Sequence, residues 1–142
     1  MYQRQDVSNL PNLSILHINT NNLTALDVSN NPLLERLRVN LNELTSLDLS
    51  NLSVLTELRG QDNNLTSLNM QNGNNTNMST FRIIGNNLTC VLVDDAAYST
   101  TNWTNTDSSV TFSDVYCGDY TAIPDSNFET ALDALGSVSY TH

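Results

Sequence analysis

The chain has 142 residues, 15 acids and 5 bases, a formal net charge of −10. That length points to one domain. Five Arg and no Lys are too little positive charge for a nucleic-acid duplex, whose binding rests on many phosphate contacts, or for an anionic membrane surface. No uncharged apolar run approaches the roughly 20 residues of a spanning helix, so no membrane insertion is expected.

Met1 to Gln5 is not followed by the apolar stretch of a signal peptide. Either an export signal was removed or the sequence is a piece of a longer chain. Asn is the unusual residue, with 22 copies, most of them between Asn9 and Asn87. Such polar composition is compatible with disorder, but Leu recurs too regularly for that reading. Leu23-Thr24-Ala25-Leu26-Asp27-Val28-Ser29-Asn30 returns 21 residues later as Leu44-Thr45-Ser46-Leu47-Asp48-Leu49-Ser50-Asn51. It returns again as Leu65-Thr66-Ser67-Leu68-Asn69-Met70-Gln71-Asn72, with Asp6-Val7-Ser8-Asn9 in phase before the first copy. The next copy opens two residues late, at Leu88-Thr89-Cys90-Val91, which places an insertion in the loop 73–77.

The other half of each unit repeats in step. Leu13-Ser14-Ile15-Leu16-His17-Ile18 aligns with Leu34 to Val39, Leu55 to Gly60 and Met78 to Ile83, and Asn21, Asn42, Asn63 and Asn86 follow in phase. Apolar and polar residues alternate over about four positions in each half, the period of a strand with one buried face. One unit cannot cover its own apolar edge, so stacked parallel units burying a column of Leu are expected. Leu16, Leu37, Leu58 and Phe81 should form one buried column, and Leu26, Leu47, Leu68 and Val91 another. The in-phase Asn are read as a buried ladder that hydrogen-bonds backbone groups, with ordinary turn residues as the alternative. Leu10 and Leu52 break the second-half Asn pattern, and Gly60 leaves an inward slot unfilled.

This pattern, over residues 7–93, resembles the leucine-rich repeat family. The 21-residue unit with two nested L-x-x-L-x-L halves is similar to a bacterial subclass of secreted and surface proteins of the Bacteroidetes. The fold expected is a β-rich solenoid of short parallel strands, with an irregular C-terminal cap and a short terminal α-helix. The resemblance implies that the first-half sheet is concave and commonly holds the ligand.

From Val93 the Leu period stops. Residues 94–119 are expected to be a cap in which Tyr98, Trp103, Phe112 and Tyr116 cover the last open edge. Asp94 and Asp95 are read as solvated acids. Cys90 and Cys117 bracket this segment, and a disulfide stapling the cap to the last repeat is expected; two unlinked thiols are the alternative. The stretch from Leu88 to Cys117 is similar to the C-terminal cap of such bacterial modules. Residues 120–142 are read as a linker and a helix. Ser126 and Glu129 form a capping box, and Phe128, Ala131, Leu132 and Leu135 share one face. Ile123 to Glu129 resembles the opening helix of a further module, which would cover the N-terminal edge of a following set of repeats.

Charge is unevenly placed. Residues 1–82 hold five bases and seven acids, while residues 83–142 hold eight acids and no base. Strand alternation puts His17, Arg38, Arg59 and Arg82 in one outward file, and Asp6, Asp27, Asp48 and Asn69 in another. Like charges one strand apart repel, so the Arg file calls for an anionic partner. One reading is a solvated face with local pairing to Glu35 and Glu57. The other is a binding stripe for a carboxylate-bearing or sulfated surface. The Asp file lacks the spaced loop of a Ca²⁺ site. No P-loop, G-x-G-x-x-G, H-E-x-x-H or G-x-S-x-G motif is present.

The sequence thus predicts a non-catalytic recognition module, secreted or at the cell surface, with no cofactor and no metal. Its expected partner is a protein or an acidic polysaccharide, held by His17, Arg38, Arg59 and Arg82. The alternative is a structural protein that assembles head to tail, the face of Phe128, Leu132 and Leu135 docking on the first repeat of the next copy.

Overall fold

The computed structural model describes residues 4–118. The expected helix carrying Phe128, Leu132 and Leu135 lies outside them. Among the described residues nine short strands alternate between two files, and a tenth joins the second file after a helix. The first file is a four-stranded sheet of β2 (Ile15–His17), β4 (Arg36–Arg38), β6 (Glu57–Arg59) and β8 (Thr80–Arg82), in that order. The second comprises the pair β1 (Arg4–Gln5) and β3 (Ala25–Leu26), and a sheet ordered β10 (Thr111–Ser113), β9 (Cys90–Leu92), β7 (Ser67–Asn69), β5 (Ser46–Asp48). Every pairing is parallel.

The register reproduces the sequence period. Leu16 stands beside Leu37, Leu37 beside Leu58, and Leu47 beside Leu68, each 21 residues on. Leu58 pairs with Phe81, 23 residues on, because the third unit is two residues longer. The added length lies in the turn after Met70, where Gly73 has a positive φ of 77° and a 3-10 helix forms over Asn75–Asn77.

Most three-residue strands bury only their middle residue, so the core is one column per file; β6 also buries Glu57, and in β10 the middle Phe112 is half-buried. Leu37 and Leu58 are fully buried, and Leu16 and Phe81 nearly so. In the second file Leu47, Leu68 and Val91 are buried, but Leu26 is only half-buried. Its strand lies towards the β1 end, where fewer side chains cover it. The residues after each strand, such as Val39, Leu49, Met70 and Ile83, extend the columns. Truncating such a buried Leu costs about 2–5 kcal/mol. At Gly60 an added Cβ would meet Arg82 O, Ile83 Cγ2 and Leu58 Cδ1 at 3.8–3.9 Å, ordinary contact distances, so this inward slot has room for a methyl group.

The in-phase Asn form a hydrogen-bonded ladder. Asn42 Nδ2 donates to Ile18 O at 3.0 Å and Val39 O at 2.9 Å; its Oδ1 accepts the N–H of Asn21 and of Leu23. Asn63 repeats the pattern with Val39 O, Gly60 O and the Leu44 N–H, and Asn86 with Gly60 O, Ile83 O and the Leu65 N–H. The chain turns at each of these corners, and the amide joins backbone groups that no strand satisfies.

The cap departs from the sequence reading in four ways. The Leu period ends at Val93, but β10 pairs with β9 in the same 21-residue register, Phe112 beside Val91. The segment is not wholly irregular, since α1 (Ala96–Asn102) forms within it. Asp94 and Asp95 are not merely solvated. Asp95 caps α1 by accepting the Tyr98 N–H at 3.1 Å, and Asp94 accepts the N–H of Gly73 and of Asn75. Tyr116 is half exposed and covers little. The covering is done by Trp103, stacked on Phe81 with ring centroids 4.0 Å apart, and by Phe112, edge-on to Trp103 at 5.9 Å. Cys90 and Cys117 are joined by a disulfide. Among the described residues no helix is long and apolar enough to cross a membrane.

Candidate functional site

In each three-residue strand of the first file the middle side chain points into the core, so the flanking two project from the sheet. The projecting positions make two columns: Ile15, Arg36, Glu57 and Thr80, and His17, Arg38, Arg59 and Arg82. The sequence expectation of a file containing Arg38, Arg59 and Arg82 is met by the register. It left out Arg36, which lies in the neighbouring column on the same face. The signal was present in Arg36-Leu37-Arg38, where residues on both sides of an inward Leu must both project. Four of the five Arg of this acidic chain therefore stand on one sheet face.

Glu57 is the acid of that face. Its Oε1 accepts the Nε–H of Arg38 at 2.6 Å and of Arg59 at 3.0 Å. The Arg38 hydrogen bond is the main cause that holds the Glu57 carboxyl below its ordinary value. Burial opposes it, and the positive charges of Arg38 and Arg59 add to it. Glu35, the other expected partner, makes no ion pair with these Arg among the described residues. Glu57 is only 11% exposed at its side chain, whereas those of Arg38 and Arg59 are 32% and 33% exposed. Each guanidinium is held through Nε, and its two Nη groups make no hydrogen bond among the described residues. His17 and Arg82 are exposed at the two ends of the column.

An open cavity of about 310 Å³ lies where β8 meets the 102–105 segment. Its walls include Ser79, Thr80, Arg82, Asn102 and Asn105, so the cationic column runs into a hydroxyl- and amide-lined recess.

The Asp file has a structural use. Asp6, Asp27 and Asp48 each accept, through Oδ1, the N–H of the Ser two residues on, at 2.9–3.1 Å, and Asn69 does the same with Gln71. These contacts fix the turn after each second-file strand. No group of three or more His, Cys, Asp or Glu among the described residues is placed to hold a metal ion.

Comparison with protein-family models, curated proteins and solved structures finds no match to this chain.

Proposed function

We propose that this chain is a non-catalytic recognition module, a leucine-rich-repeat solenoid working outside the cell, and that it takes an anionic partner on the face of β2, β4, β6 and β8. The observation that carries the reading is the gathering of Arg36, Arg38, Arg59 and Arg82 on that face of a chain with net charge −10. Glu57 offsets only part of that charge. It also holds two guanidinium groups through Nε, leaving their Nη donors without a hydrogen bond among the described residues, which lowers the entropy lost when a carboxylate or sulfate is bound. The partner is an acidic polysaccharide or an acidic segment of a protein. The parallel 21-residue register supports the repeat assignment, and the Cys90–Cys117 disulfide supports an oxidising compartment. The acids support a non-catalytic role, because Asp48, Asp95 and Asp107 are engaged with backbone N–H groups.

The test is calorimetric titration with polyglutamate and with oligogalacturonate at low salt. Binding of at least one is expected, weakening by about tenfold or more in Arg59→Glu and as salt is raised. Equal affinity in the wild type, Arg38→Ala and Arg59→Ala overturns the reading.

A second reading, end-to-end assembly, has one observation in its favour. The outer edge of β2 pairs with no strand among the described residues, and Leu10 and Ile15 are 49% and 46% exposed. Light scattering at high concentration tests it: a monomer excludes assembly, and a mass that grows with concentration supports it.

A further inference from the structure

The longer third unit carries an Asn72-Gly73 pair in its added turn. In an Asn-Gly pair the glycine nitrogen can attack the asparagine side-chain carbon with the least hindrance, because glycine carries no Cβ. The fold surrounds this pair with three groups suited to that reaction. The Gly73 N–H donates to Oδ1 of Asp94 at 3.0 Å, so a carboxylate stands where the proton of the attacking nitrogen must go. The Asn72 Oδ1 accepts the Asn74 N–H at 2.9 Å and the Asn75 Nδ2–H at 3.1 Å, two donors on the oxygen that gains charge when the amide carbon becomes tetrahedral. The Asn72 Nδ2, which must leave, is buried and has no hydrogen-bond partner among the described residues. The N–H lies in the peptide plane and points at Asp94, which leaves the nitrogen π electrons above and below that plane for attack. Gly73 itself is exposed, with open space where a Cβ would stand.

We propose that Asn72 is a self-modification site, at which the native fold promotes deamidation through a succinimide with Gly73. The Gly73 N–Asn72 Cγ bond forms as the Gly73 proton passes to Asp94. The Cγ–Nδ2 bond then breaks, Asp94 returns the proton to Nδ2, and ammonia leaves. Water opens the succinimide at either carbonyl to give aspartate or isoaspartate. No oxidant, metal or cofactor takes part. The product sets a second carboxylate next to Asp94, and isoaspartate lengthens the main chain by a methylene. Either change weakens the hydrogen bonds that Asp94 makes to Gly73 and Asn75. The equivalent positions Asn9, Asn30 and Asn51 are followed by Leu10, Asn31 and Leu52 and serve as internal controls.

The experiment incubates the full chain at neutral pH, folded and in parallel unfolded in guanidinium with the disulfide reduced. Peptide mapping by mass spectrometry follows the amide-to-acid mass gain at all four Asn. Asn72 is expected to convert at least about tenfold faster in the folded chain than in the unfolded one, with the other three unchanged. Asp94→Asn should bring the folded rate down to the unfolded rate. A folded chain that keeps Asn72 while the unfolded chain converts it overturns the proposal, as does an Asp94→Asn variant that converts at the wild-type rate. Should Asp94→Asn fail to fold, the pH profile of the wild type decides. A folded rate nearly flat across the neutral range supports Asp94 as the base, and a rate rising in proportion to hydroxide overturns it.

Discussion

The Asp107 carboxylate accepts the backbone N–H of Asn86 at 3.0 Å, 21 residues away, just as the Asn42 side chain accepts the N–H of Asn21. Asp107 also accepts the Gly85 N–H. The counterparts of Gly85 in earlier units, Thr20, Leu41 and Asp62, donate instead to main-chain carbonyls of the next unit. One carboxylate thus ends the ladder by replacing both an amide and a carbonyl acceptor. Asp107→Ala should cost about 1–2 kcal/mol, as losing a helix cap does, and Asp107→Asn distinctly less, since one acceptor oxygen stays. Chemical denaturation of the two variants checks the order.

The corner before each ladder Asn is left-handed. Thr20, Leu41 and Asp62 have φ of 60°, 59° and 59°, and Gly85 has 79°. Only the last has the residue that accepts this conformation without strain. Leu41 is half exposed and leaves little buried surface to lose. Leu41→Gly should therefore raise stability by about 0.5–1 kcal/mol. Gly85→Ala should lower it, because its Cβ would run into the Asp62 carboxylate and φ is positive. Melting temperatures of the pair should move in opposite directions.

Glu57 makes stability depend on acid. Its carboxyl is held below the ordinary value in the folded chain, chiefly by the Arg38 hydrogen bond. That contribution is complete above the unfolded value of about 4.3 and is lost as pH falls through the lower folded value. Glu57→Gln should remove about 1–2 kcal/mol at neutral pH, a low figure for charged hydrogen bonds because both Arg are a third exposed. The difference between variant and wild type should shrink in denaturant titrations run towards pH 3.

The Cys90–Cys117 bridge spans 27 residues and fastens the cap strand region to β9. Reduction should cost about 3–4 kcal/mol. Limited proteolysis of the reduced chain should then cut first within residues 94–118 and spare residues 34–83.

Much of this architecture was legible in the sequence because one period governs it. Leu16, Leu37, Leu58 and Phe81 recur in phase, and alternation alone puts Arg38, Arg59 and Arg82 on the opposite face from them. The cap was less legible. Residues 96–102 carry no apolar stripe, and their helix is set by the Asp95 cap and its contact with the rest of the cap. Asp107 and Asp94 continue the backbone-bonding role of the Asn with a different side chain, so a search for Asn passes over them. The role of Glu57 was only partly visible, because its two Arg partners lie 19 and 2 residues away and meet only through the register.

The most direct test of the proposed anion-binding face is an NMR titration of the isotope-labelled chain with polyglutamate and, separately, with oligogalacturonate. The shifts that move are expected at residues 15–17, 36–38, 57–59 and 80–82, and added salt should reverse them. Shifts confined to residues 46–48 and 67–69, or no shift with either polyanion at low salt, would contradict the assignment.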